Sequence, residues 1–146
     1  MKSFKIALVA FAGLVSVSAF AECGGKVVFQ CDTTKGKVVE VCETPTTVNY
    51  AFGKKGAAPE LFLKQVKSKT TVQRWAGFGS YETHGVSFQK GAYDYTVHTA
   101  FDHREKTNQA GVIVTADGQG QIADVQCKRI NVNKIYEING TKIEKQ

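Results

Sequence analysis

Three histidines, His84, His98 and His103, are the side chains in this sequence best suited to acid–base or metal chemistry. Their spacing does not assemble them. His98 and His103 differ by an odd number, so on one straight strand they point to opposite faces and make no metal pair. Asp94 and His98 share a face but lie about 13 Å apart along a strand, too far for direct contact. Asp102 and His103 are neighbours, yet no G-x-S-x-G or S-x-x-K pattern marks a nucleophile beside them. A hydrolase built on Asp94, His98 or His103 would need the fold to gather distant residues into one pocket with another acid. The sequence therefore nominates no catalytic residue, no metal ligand and no cofactor.

The four cysteines, Cys23, Cys31, Cys42 and Cys127, offer structural chemistry instead. There is no C-x-x-C pair, so a zinc or thioredoxin-type site is not indicated. An even count in an exported chain reads as two disulfides, with three possible pairings. If Thr33–Gly36 is a hairpin loop, Cys42 lies opposite Val27 and not opposite Cys31. Cys23, just beyond Val27, can then fold back to Cys42, which leaves Cys31 for Cys127.

Recognition chemistry is concentrated in one segment. Trp75, Phe78 and Tyr81 are interleaved with Gly77 and Gly79. This is not a phosphate loop, since it lacks the lysine and no helix follows. Large rigid aromatic side chains of this kind dominate binding hot spots. Trp75, Ser80 and Tyr81 are the expected contact residues, with the Lys54-Lys55 loop and the Lys90–Tyr93 turn as candidate rim.

The elements that must carry these residues are strands. From Lys26 onward the dominant period is two. Expected strands are 27–32, 37–43, 48–53, 60–66, 84–90 and 92–101. In the clearest of them, Tyr93, Tyr95, Val97, Thr99 and Phe101 share one face. Residues 68–81 read as a bulged strand or a packed loop, and 102–109 as a charged loop. Ala110–Ala116 and Gln119–Lys128 flank Asp117-Gly118, a pair suited to a two-residue type I′ turn. That register sets Val112 against Ala123, Ala110 against Val125 and Ile113 against Ile122. Ile130–Ile138 fits either a short helix or another strand, and Gly140 onward a polar tail. No helix-period segment of useful length follows the N-terminal stretch. The fold expected is all-β: a small antiparallel β-barrel or sandwich of about eight strands, stapled by disulfides.

The N-terminus has the form of a signal peptide. Lys2 and Lys5 precede an apolar run over 6–17, and Ala19-Phe20-Ala21 supplies small residues for cleavage between Ala21 and Glu22. The run is short for a membrane span. Glu22 before Cys23 does not suit a lipid-attachment site. Residues 1–21 are thus read as a signal peptide and 22–146 as a single β domain in the periplasm or outside the cell, with no membrane anchor. The formal net charge is +6, and the two leader lysines account for two of those charges. No run of five or six like charges occurs, so a nucleic-acid interface is not indicated.

Several short motifs together carry a resemblance. They are Phe29-x-Cys31-Asp32, Lys37–Val41, Tyr50-x-Phe52-Gly53, Glu60-Leu61-x-Leu63, Gly77–Tyr81, Phe88–Tyr93 and Val125-x-Cys127. The chain resembles a group of small uncharacterised exported proteins of Gram-negative bacteria, and this implies a fold without implying an activity. It also resembles the periplasmic inhibitors of C-type lysozymes. These are small antiparallel β-barrels with an early strand cysteine and an S-G-x-x-Y loop that enters the enzyme cleft. Gly77–Tyr81 approximates that loop but lacks the serine before the glycine. The positive charge of this chain would also repel a basic lysozyme.

The reading that follows is a non-catalytic, macromolecule-binding module, inhibitor- or immunity-like, whose partner is an envelope or secreted protein. The alternatives are a small cell-envelope hydrolase and a structural envelope component that pairs through an exposed strand edge.

Overall fold

The computed structural model describes residues 23–146. The expected signal peptide, residues 1–21, lies outside the described residues. The rest forms one curled, half-barrel sheet of ten strands. These are β1 (Lys26–Thr33), β2 (Lys37–Glu43), β3 (Thr47–Lys54), β4 (Leu61–Val66), β5 (Thr71–Arg74), β6 (Tyr81–Lys90), β7 (Tyr93–Asp102), β8 (Thr107–Ala116), β9 (Gly120–Asn133) and β10 (Lys142–Lys145). The spatial order is β10-β5-β6-β7-β8-β9-β1-β2-β3-β4. Neighbours pair antiparallel except β10 and β5, which are parallel. No α-helix occurs among the described residues.

The two strands beyond the expected eight are β5 and β10, each four residues long. Lys142–Lys145 has one apolar residue among three charged ones, so its sequence reads as a tail. Its backbone nevertheless pairs Lys142 with Thr71 and Lys145 with Arg74. The polar tail expected from Gly140 is therefore an edge strand. Residues 130–138 divide between the end of β9 and a single 3-10 turn at Ile135–Glu137.

The core fills the concave side of the sheet. Alternation on β6 and β7 points Val86, Phe88 and Val97 inward, where they meet Val39, Val41, Val48 and Tyr50 from β2 and β3. Tyr50 packs against Phe88 and Tyr95 with ring centroids 5.5 and 6.0 Å apart. Burial pushes the Tyr50 hydroxyl well above the ordinary tyrosine range. The 3-10 turn plugs the trough. Ile135 and Ile138 are both fully buried, and the turn packs on β1, β5 and β6.

Two disulfides staple the sheet, Cys23–Cys42 and Cys31–Cys127. The first hairpin does set Val27 opposite Cys42 and Cys31 opposite Val39, the register from which that pairing was expected. The β8–β9 hairpin differs from expectation. Val112 faces Val125 and Ile113 faces Asp124, a shift of two residues. One residue of the shift comes from the turn, where Ala116 pairs with Gly120 and encloses three residues. The other comes from a bulge, because Val114 pairs with Ala123 but Thr115 pairs with Gln121.

The loop after β7 is also shorter than expected, four residues in place of eight. An Asp102 carboxylate oxygen accepts the backbone N–H groups of Arg104 and Glu105, at 2.8 and 3.3 Å. Lys106 then turns the chain with φ 56°. An Asp that binds the amides two and three residues ahead folds such a loop locally. Those backbone hydrogen bonds, chiefly from Arg104, hold the Asp102 carboxyl below its ordinary pKa.

Candidate functional site

The start of β6 and the end of β7 lie side by side, with Tyr81 opposite Asp102 and Glu82 opposite Phe101. The segment 75–80 enters β6 beside them. Its N-terminal side is held by the end of the chain: the Ala76 N–H donates to the Gln146 carbonyl at 2.8 Å, and the Gln146 N–H donates to Arg74 at 2.9 Å. On the other side, the His103 N–H donates to the Ser80 carbonyl at 2.8 Å. The segment is therefore clamped at both ends.

Within it, the Trp75 indole N–H donates to the Phe78 carbonyl at 2.6 Å. That bond consumes the polar end of the indole and ties the loop into a small ring. The indole stacks on the His103 imidazole at 5.6 Å, and His103 in turn meets the Phe101 ring edge-on at 4.9 Å. Gly77 and Gly79 have φ of 93° and 83°. Two positive φ values flanking one residue turn it outward, a backbone path that residues with a Cβ resist. Phe78 accordingly stands 83 % exposed and Tyr81 53 % exposed. Trp75 and Ser80 are half-buried. An exposed phenylalanine on a loop fixed by four hydrogen bonds, with an exposed tyrosine at the adjoining start of β6, offers preorganised hydrophobic contact surface.

A polar group adjoins these rings. The Glu82 carboxylate lies between two imidazoles. His84 Nε2 hydrogen-bonds one of its oxygens at 3.1 Å, and His103 Nε2 lies 3.2 Å from the other. His84 also packs on Tyr136 of the 3-10 turn, with centroids 5.8 Å apart. The Asp102 carboxylate raises the Tyr81 hydroxyl above its ordinary pKa, chiefly by accepting a hydrogen bond from it.

The expected contact residues Trp75 and Ser80 are brought together around His103, and Phe101 and Glu82 join them. Tyr81, opposite Asp102, is turned to the other face of the sheet from Glu82. Phe78 sits at the tip because of its flanking glycines, a signal visible in the sequence. Glu82 and His103 come together only through the β6–β7 register. The expected acid–base set is not assembled. Asp94 and His98 lie on the convex face of β7, while His103 lies beyond the strand end, against Glu82. His98 sits over two glycines, opposite Gly85 and Gly111. Its Nε2 is buried without a hydrogen-bond partner, and burial lowers its pKa, opposed by the charge of Asp124.

Among the described residues, the group of Cys, His and acidic side chains close enough to hold an ion is Cys23, Glu40 and Cys42. Its two sulfurs are bonded to each other, so it is not a metal site.

No protein-family model matches this chain. No curated protein matches it, and no solved structure does.

Proposed function

We propose that this is an exported, non-catalytic binding module that docks a protein partner through the Trp75–Tyr81 loop and the adjoining rim of β6 and β7. The observation that carries the reading is the exposure of Phe78 on a loop clamped at both ends, with Tyr81 also exposed where that loop enters β6. A flexible apolar loop would lose side-chain and backbone freedom on binding, and a clamped one avoids most of that cost. Two disulfides suit an oxidising compartment, in keeping with export to the periplasm.

The test is site-specific crosslinking. A photoreactive phenylalanine analogue at Phe78, in the protein expressed in its own cell envelope, should capture one discrete protein. The same analogue at exposed Ile122 should not. Phe78→Ala combined with Tyr81→Ala should weaken binding of that partner by roughly 2 kcal/mol or more, the scale of an aromatic hot spot. Equal capture from both positions would refute the reading.

The hydrolase alternative has one observation in its favour, the Glu82 carboxylate held between His84 and His103. It predicts loss of a cell-wall-degrading activity in Glu82→Gln, with Phe78→Ala unaffected.

A further inference from the structure

The rim of β6 and β7 is not the only place where the fold gathers polar side chains. A pocket of about 490 Å³ lies where the β1–β2 turn, the β3–β4 loop and the middle of β9 meet. Lys37, Lys55, Lys128 and Arg129 line it, with Asp32 and the Thr33–Gly36 turn. These cations come from three separate stretches of chain, so their convergence is a product of the fold.

The backbone of β9 places two of them. Against β1, Asp32 pairs with Arg129 while Thr33 pairs with Cys127, which leaves Lys128 as the extra residue of a bulge. In a regular strand Lys128 and Arg129 would point to opposite faces. The bulge lets both line the same pocket, the kind of re-aiming that bulges produce beside sites. Asp32 then holds Arg129 in place, with its carboxylate accepting from Nε at 3.0 Å and from Nη2 at 2.6 Å. That interaction, led by the hydrogen bond from Arg129, lowers the Asp32 pKa. Lys37 is fixed by Glu60 at 2.7 Å. Lys55 and Lys128 have no ion-pair partner among the described residues. Four cations against the two carboxylates of Asp32 and Glu60 leave two positive charges, on the two lysines that are unpaired.

We infer that this pocket binds a phosphate monoester. Such a group carries close to two negative charges at neutral pH, matching the surplus. Lysine ammonium groups and a held guanidinium are the usual donors to its oxygens. The volume exceeds that of bare phosphate and has room for a sugar-sized carrier. The pocket shares no residue with the Trp75–Tyr81 rim, and the inference does not rest on the function proposed for that rim.

The experiment is an NMR titration of isotope-labelled protein with glucose 6-phosphate, inorganic phosphate and glucose at constant ionic strength. Both phosphates should shift the amides of Thr33–Lys37, Lys55, Lys128 and Arg129 saturably, and glucose should not. Lys55→Ala with Lys128→Ala should weaken glucose 6-phosphate at least about tenfold. The charge-matched control, Lys64→Ala with Lys90→Ala on exposed positions elsewhere, should stay within about twofold. Phosphatidic acid vesicles that outcompete glucose 6-phosphate identify a lipid-displayed phosphate. Vesicles that fail to compete identify a soluble one. Non-saturating shifts, shifts reproduced by chloride, or equal weakening in the control pair would overturn the assignment.

Discussion

The side-chain oxygen of Gln65 accepts the backbone N–H of Gln89 at 3.0 Å, and its amide nitrogen donates to the Ser87 carbonyl at 3.2 Å. Gln65 belongs to edge strand β4, and residues 87–89 to β6. β5 covers the outer edge of β6 only from His84 to Ser87. Beyond that point Gln65 imitates a strand backbone and ties edge strand β4 across the curl to β6.

Gln65→Ala should remove this clasp. The expected loss is roughly 1–2 kcal/mol, the scale of a partly exposed hydrogen-bonded group left without partners. Urea unfolding measures it, and hydrogen exchange at the Gln89 amide should accelerate. An unchanged Gln89 amide would mean that the curl is held by core packing alone.

The Cys31–Cys127 bridge spans a sequence separation of 96. In the chain-entropy picture, a loop of that length contributes about 4–5 kcal/mol. Replacing both cysteines with alanine should lower stability by up to that amount. Replacing Cys23 and Cys42, whose separation is 19, should cost about 1.4 kcal/mol less on the same loop-length scaling. The comparison is made by denaturant unfolding of the two double variants.

The C-terminal stretch should divide sharply. Ile138 is fully buried in the plug, and Ile138→Ala should cost roughly 2–5 kcal/mol. Ile143 is 52 % exposed on β10, and Ile143→Ala should stay near 0.5 kcal/mol. Urea midpoints of the two variants decide it. Similar costs would mean that β10 is more deeply packed than its exposure indicates.

His98 gives the fold a pH dependence. Burial lowers its folded-state pKa below the ordinary 6.5. The unfolded chain therefore takes up the proton first on acidification. Its contribution to stability is fully present above about pH 6.5 and is lost as pH falls from there through the lower folded value. His98→Gln should flatten the stability profile over that window relative to wild type. Because His84 and His103 are present in both proteins, the difference between the two profiles isolates His98.

The sequence made the strands with clean alternation legible, β7 above all, because one face of each is buried. The register of the first hairpin, and with it the cysteine pairing, followed from loop length. The β8–β9 register did not, because the turn encloses three residues where Asp117-Gly118 suggested two, and a bulge at Ile122 adds another that no composition signal marks. β10 was hidden because Lys142-Ile143-Glu144-Lys145 gains its strand conformation from backbone pairing with β5, not from an apolar face. The glycine-flanked aromatics announced the contact loop. The pairing of Glu82 with His103, and the convergence of Lys37, Lys55, Lys128 and Arg129, depend on strand register and on a bulge, and so appear only in three dimensions.

The strand order also sets a timetable. β1 lies between β2 and β9, so its second neighbour is made about a hundred residues after it. β10, which follows the other nine strands in the chain, completes the edge beside β5, and Gln146 just after it anchors Ala76 at the root of the aromatic loop. Pairings this distant in sequence form slowly, after local hairpins have closed. The contact loop is therefore set only once β10 and Gln146 are in place. A chain stalled or clipped before β10 could keep most of its sheet and still present no shaped surface to a partner.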